Sequence, residues 1–100
     1  MALSVVIVNG NPRQLLLDCL QSVSGSLEGP GYEVIVVDNG STDGSAQAAL
    51  EAFPGIRMIR NEKNVGFARA NNQAIRASQG RNILLLNSDA RLTPQAIISM

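Results

Sequence analysis

The sequence predicts an α/β fold built on a parallel four-stranded sheet with helices on both faces. Three observations carry this expectation. The apolar runs Leu3–Val8, Val34–Val37 and Ile83–Leu86 are short, and apart from Ser4 they are unbroken, as in strands covered on both sides. Between them lie segments whose apolar residues recur at helical spacing. Strands alternating with helices in this way require parallel pairing through right-handed crossovers. The first, second and fourth strands each end in a polar residue: Asn9, Asp38 and Asn87. In a parallel sheet these three ends share one edge, which is where open α/β sheets bind ligands.

The first strand stops at Asn9-Gly10-Asn11-Pro12. Asn11 is placed to cap the next helix, with Pro12 at the first helical position, where a missing N–H costs nothing. Leu16, Cys19, Leu20 and Val23 form the apolar stripe of that helix, and Gly29-Pro30-Gly31 breaks the chain before the second strand. After Asp38 comes Asn39-Gly40-Ser41-Thr42-Asp43-Gly44. Ser41 reads as the N-cap of a second helix carrying Ala46, Ala49, Leu50 and Phe53, with Asp43 in its positive first turn. Pro54-Gly55 ends it. Ile56–Arg60 alternates apolar and basic residues, as an edge strand should. The polar stretch Asn61–Gly66 then delivers a third helix with Phe67, Ala70, Ala74 and Ile75 on one side, closed by Gly80. Thr93-Pro94 repeats the cap-then-proline signal and begins a further helix.

Composition narrows the chemistry. One hundred residues make one small domain, and 45% hydrophobic content is too high for disorder. Eight basic and eight acidic residues cancel without any run of like charge, so no nucleic-acid footprint is indicated. With one cysteine and no histidine, a His/Cys zinc site and a histidine-based triad are both excluded within these residues. Any metal would be a hard cation on oxygen ligands. No apolar stretch approaches the ~20 residues of a membrane span, and the opening residues lack a signal peptide's basic start. The expected location is cytoplasmic, with attachment at the inner membrane face left to parts beyond these residues.

Four blocks carry a resemblance: Val5-Val-Ile-Val-Asn9, Val36-Val-Asp-Asn-Gly-Ser-Thr-Asp-Gly44, Asn64-Val-Gly-Phe-Ala-Arg-Ala-Asn-Asn72 and Leu84-Leu-Leu-Asn-Ser-Asp89. In order and spacing they resemble the family-2 glycosyltransferases, and together they span nearly the whole chain. The third block, with Asn87-Ser-Asp in place of an Asp-first triplet, is most similar to the rhamnosyltransferase and galactofuranosyltransferase branch. The resemblance implies the N-terminal, Rossmann-like half of a GT-A fold with strand order 3-2-1-4. It also implies a domain that binds a nucleotide diphosphate sugar, UDP- or dTDP-type, with Mg²⁺ or Mn²⁺ for inverting glycosyl transfer. Residues 1–100 then form a single nucleotide-sugar-binding domain, a fragment of a longer enzyme.

The expected donor-binding residues are Asn9, Asp38, Gly66, Arg69 and Asn87, and the expected metal ligand is Asp89. By resemblance, Asp38 accepts the ring N–H of uracil or thymine; its structural alternative is to cap the following turn through backbone N–H groups. Asp43 is expected to serve the helix rather than a ligand. Gly66 permits close backbone approach to the nucleotide, and phosphate charge favours the start of the helix behind it. Arg69 is long enough to reach the diphosphate, with a solvated helical arginine as the alternative. Asn87 is suited to hydrogen-bond ribose or diphosphate, and Asp89 to hold the cation. Asn71 and Asn72 are poor helix formers, which points to side-chain contacts. Gly10 stands where the family commonly has an aromatic, which removes a wall of the base pocket.

No catalytic residue is assigned. The carboxylate base that an inverting transferase uses on its acceptor lies, in the family, in the second half of the fold. The glycan or lipid-linked acceptor therefore belongs to the longer enzyme. The alternative is a free-standing α/β nucleotide-binding or interaction module without transferase activity. Because Ile83–Leu86 would form an apolar sheet edge, self-association through that edge or by exchange of the last helix is expected.

Overall fold

The computed structural model describes residues 3–9, 13–26 and 31–87. In chain order these form β1 (Leu3–Asn9), α1 (Arg13–Ser26), β2 (Tyr32–Asn39), α2 (Ser45–Ala52), β3 (Arg57–Asn61), α3 (Phe67–Ala77) and β4 (Asn82–Asn87). The strands make one sheet of order β3-β2-β1-β4, and every neighbouring pair is parallel. This is the fold class and strand order the sequence implied.

Side chains alternate across a strand, so register decides which helix each residue meets. Val5 and Ile7 of β1 sit in register with Val34 and Val36 of β2. On this face Val5, Ile7 and Val36 pack with Leu16, Cys19, Leu20 and Val23 of α1 and Ala49 of α2, all buried. Val6, Val8, Ile35 and Val37 point the other way, onto Ala70 and Ala74 of α3. The two small residues on α3 let its backbone approach the β-branched surface. The split follows from handedness: β1, β2 and β3 step in one direction with α1 and α2 on one face. The chain then returns to the far side of β1, so α3 crosses on the other face.

A polar fastening closes the end of the sheet where the strands begin. Glu33, whose side chain is 8% exposed, accepts hydrogen bonds from the Ser4 hydroxyl at 2.6 Å and the Gln79 amide at 2.6 Å. It also pairs with Arg57 at 3.0 Å. The Gly80 amide donates to the Ser4 Oγ at 2.8 Å. A Cβ at Gly80 would lie 2.5 Å from the Ser4 nitrogen, so only glycine lets the chain pass this close to β1.

Several boundaries differ from the sequence expectation. β3 begins one residue later, at Arg57, and β4 extends one residue beyond the apolar run at each end. α2 starts at Ser45, not after Ser41. Gly40 and Gly44 take positive φ values of 81° and 78°, which delays the helix by one turn. Gly44 occupies the N-cap position, and no acidic residue falls in the first turn. Asp43 serves the helix from just outside it, its Oδ1 accepting the Ser45 amide at 3.0 Å. On α3 the expected apolar position Ile75 is 37% exposed, and the buried place beside Ala70 and Ala74 goes to Asn71. The expected Asn11–Pro12 cap and the helix after Thr93 lie outside the described residues.

Candidate functional site

The polar ends of β1 and β2 converge because Asn9 and Asp38 are direct register partners. Both project onto the α1/α2 face, where the apolar cluster ends, and both are buried, Asn9 fully and Asp38 to within 3%. Asn9 Nδ2 donates to Ser45 Oγ at 2.9 Å and, more weakly, to Asp38 Oδ1 at 3.4 Å. The Ser45 hydroxyl donates to Ser41 Oγ at 2.9 Å, and the Ser41 hydroxyl donates to Asp38 Oδ1. The four side chains close a ring. Asp38 is therefore held by a hydroxyl and a carboxamide, not by the backbone amides of its turn.

Two acceptors in this region remain open. Both of Asp38's hydrogen bonds fall on Oδ1, so Oδ2 has no partner among the described residues. Asn9 Oδ1, fully buried, also finds none among them. A buried acceptor without a partner costs about 1–3 kcal/mol. Asn71 Oδ1 is in the same condition on the α3 side. The carboxamides expected to make side-chain contacts thus divide: Asn71 is buried and Asn72 exposed.

Asn39, next along β2, faces α3. Its Oδ1 accepts the Val65 amide at 3.0 Å and Asn61 Nδ2 at 3.3 Å. Its Nδ2 donates to Asn64 Oδ1 at 2.9 Å and to the Gly66 carbonyl at 3.5 Å. Asn64 Oδ1 also accepts the Gly66 amide at 2.8 Å. Gly66 is the N-cap of α3 with φ 92° and ψ 155°, a conformation open almost only to glycine. A Cβ there would meet nothing within 4 Å, so the space beside this backbone is clear. At Gly40, by contrast, a Cβ would stand 2.9 Å from the backbone of Lys63 and Asn64. The tip of β2 and the loop before α3 touch through main chain.

The remaining expected residues sit apart from this ring. Arg69 is exposed on the outer flank of α3, in a groove of about 320 Å³ shared with Val65, Asn72, Gln73 and Arg76. That flank adjoins β3, since Gln73 and Asn61 exchange amide hydrogen bonds of 2.9 and 3.1 Å. Neither Arg69 nor Arg76 has an ion-pair partner among the described residues. Asn87 ends β4 opposite Val8, one step short of Asn9 along the same edge. Asp89 and Gly10 lie outside the described residues, and among the described residues no group of three His, Cys, Asp or Glu could hold a metal ion. The expected ligation by Asp89 therefore falls outside them.

A larger cleft, about 400 Å³, is lined by Leu20, Val23, Tyr32, Val34, Phe53 and Ile56. It opens where β2 begins, at the opposite end of the strands from Asp38, and its lining also includes Ser24 and Glu33, the latter engaged by Ser4, Gln79 and Arg57. Ser41, Ser45, Asn39, Asn61, Asn64 and Gln73 were not singled out from the sequence as site residues. One signal was available: Asp38 and Asn39 are adjacent on a strand and so must serve opposite faces.

The model of Glycosyl transferase family 2 matches residues 4–100. The chain belongs to this family. Over 73 residues the family-2 chain is 40% identical to an N-acetylglucosaminyl-diphospho-decaprenol L-rhamnosyltransferase of Mycobacterium tuberculosis, covering 73% of this chain and 24% of that protein. Its structure is similar to S. aureus TarS 1-349 in complex with UDP-GlcNAc, with a TM-score of 0.84 at 26% identity, covering 95% of this chain and 28% of that one. A mannosyltransferase from Pyrobaculum calidifontis in complex with GDP-Man and Mn²⁺ gives a TM-score of 0.78 at 27% identity, covering 89% of this chain and 28% of that one. The family-2 chain spans less than a third of the length of these relatives. Its parallel 3-2-1-4 sheet with flanking helices is consistent with the GT-A, Rossmann-like fold.

Proposed function

We propose that these residues are the donor-binding half of an inverting glycosyltransferase that takes a UDP- or dTDP-type sugar. The observation that carries this reading is the open acceptor Asp38 Oδ2 at the converging ends of β1 and β2, beside the unpartnered but buried Asn9 Oδ1. They stand beside the point where the sheet changes direction, with β2 on one side of β1 and β4 on the other. Ligands of open α/β sheets bind at such a switch point. In this reading Asp38 Oδ2 accepts the ring N–H of the pyrimidine, and the Ser41–Ser45–Asn9 ring fixes the carboxylate's orientation. The open backbone at Gly66 and the strand end at Asn87 flank the ribose and diphosphate.

A Mg²⁺ or Mn²⁺ held by Asp89 would offset the charge of the departing diphosphate. Arg69, exposed on the outer flank of α3, reaches the diphosphate only by folding back toward the strand ends. The rhamnosyltransferase-like branch is supported by Asn87-Ser-Asp and by the 40% identical relative, and the acceptor is a glycan or lipid-linked sugar. The acceptor-activating base comes from chain beyond these residues, as the short coverage of the relatives supports. Leu85, 47% exposed on β4, supports self-association of the hundred-residue chain through that edge.

Titrating the chain with UDP and dTDP in the presence of Mg²⁺, followed by amide NMR, tests the reading. Shifts at Asp38 and Gly66 with either nucleotide are expected. No shift at either residue at millimolar ligand would refute donor binding and leave the free-standing module.

A further inference from the structure

We infer that Asn39 is a positioning residue for the nucleotide: it fixes the distance between the Asp38 strand end and the Gly66 backbone. The inference rests on the donor-binding reading above. Asn39 is 5% exposed, and its carboxamide is used from both ends. The oxygen takes the Val65 amide at 3.0 Å and Asn61 Nδ2 at 3.3 Å; the nitrogen serves Asn64 Oδ1 at 2.9 Å and the Gly66 carbonyl at 3.5 Å. Every atom of the loop that the nitrogen touches is an acceptor, and every atom that the oxygen touches is a donor. Only a carboxamide of this length satisfies both sets.

The ring closes on one peptide segment. Asn64 Oδ1 accepts the Gly66 amide at 2.8 Å as well as the Asn39 amide, so the two asparagines grip Val65 and Gly66 from both sides. Asn61 is itself fixed by its reciprocal pair with Gln73, which ties the ring to the body of α3. Adjacent residues of β2 thus divide the work: Asp38 addresses the base from one face, and Asn39 sets the loop that borders the rest of the nucleotide from the other. Since they are joined by one peptide bond, a change in the loop's seat changes the width of the crevice directly.

The test uses Asn39→Asp and Asn39→Leu. The first keeps the shape but turns the donor end into an acceptor facing Asn64 Oδ1 and the Gly66 carbonyl. The second keeps much of the volume and removes all four bonds. UDP affinity is measured by calorimetry with Mg²⁺ at a temperature where circular dichroism shows each protein fully folded. Amide exchange at Val65 and Gly66 is measured on the same samples without nucleotide. Both variants are expected to lose protection at these two amides and to bind UDP about ten-fold or more weakly, the effect of roughly one hydrogen bond's misplacement. A residue that only stabilises the fold would leave the affinity of the folded fraction unchanged. Affinity within two-fold of the unsubstituted chain in either folded variant overturns the inference and leaves the donor reading standing. Failure of the unsubstituted chain to bind UDP or dTDP overturns the donor reading, and positioning with it.

Discussion

Replacing Glu33 by Gln removes one charge from the carboxylate that fastens β1, β3 and the chain after α3 to the start of β2. The least costly arrangement of the new amide keeps its oxygen where the Ser4 hydroxyl and the Gln79 amide now converge, each at 2.6 Å. Its nitrogen then faces the Arg57 guanidinium, and that 3.0 Å bond is lost. Hydrogen bonds to a charged partner contribute about 1.5–3 kcal/mol and neutral ones about 0.5–1.5, so the two retained bonds weaken by roughly 1 kcal/mol each. Arg57 is 47% exposed, and its ion pair is worth at most about 1 kcal/mol. The expected loss is about 2–3 kcal/mol, or roughly 10–20 °C in Tm for a domain of this size.

The buried bonds, not the ion pair, dominate that figure, so Arg57→Met is expected to cost less than half as much. Burial alone would raise the Glu33 pKa, but the bonds from Ser4, Gln79 and Arg57 outweigh it and hold the carboxyl below its ordinary 4.5. The folded form thus prefers the charged state. Its contribution is complete above about pH 4.5 and is lost as pH falls through the lower, folded value. Urea unfolding between pH 7 and pH 3 should show the difference between wild type and Glu33→Gln shrinking as Glu33 protonates. A difference constant across that range, or an Arg57→Met cost equal to that of Glu33→Gln, would refute the reasoning.

Gly80→Ala sets a Cβ 2.5 Å from the Ser4 nitrogen and 2.6 Å from the Leu3 carbonyl carbon, backbone atoms at the start of the inner strand β1. The expected loss is about 2–3 kcal/mol, read as a lower urea midpoint, and an unchanged midpoint would show that the Gly80 turn moves freely. Leu85→Lys is expected to abolish concentration-dependent association in sedimentation velocity while leaving the fold intact. Association that survives the substitution would exclude the α3 face of β4 as its surface.

Val34–Val37 was legible because burial on both faces leaves an unbroken apolar run; Ile83–Leu86 carries the same run, yet it forms an edge strand on which Leu85 is 47% exposed. Leu16, Cys19, Leu20 and Val23 declared the core face of α1 in the same way. The start of α2 was not legible. Ser41 is a good capping residue, but the positive φ of both Gly40 and Gly44 turns the chain so that its hydroxyl meets Asp38. Ile75 misled for a related reason: helical spacing places it at the margin of the buried stripe, and how far the sheet extends under that margin is a tertiary fact. Asp38 and Asn9 were named at the strand ends from topology alone, whereas Asn39 was passed over because its partners lie more than 20 residues away in sequence. Amides carry no charge pattern that would announce a network of this kind.

The strand order also dictates a sequence of events during synthesis. β1 leaves the ribosome first yet occupies the middle of the sheet, and its β4-side edge stays unpaired until residue 82 has emerged. The α1/α2 layer can close over Val5, Ile7 and Val36 early, from segments that lie within the first 52 residues. Val6, Val8, Ile35 and Val37 must wait for α3. The nascent chain therefore passes through a half-covered sheet with one open apolar face and one open edge, the condition in which chaperone capture and misassociation compete with folding. Gly80 and Ser4, 76 positions apart, meet just before β4 covers that edge.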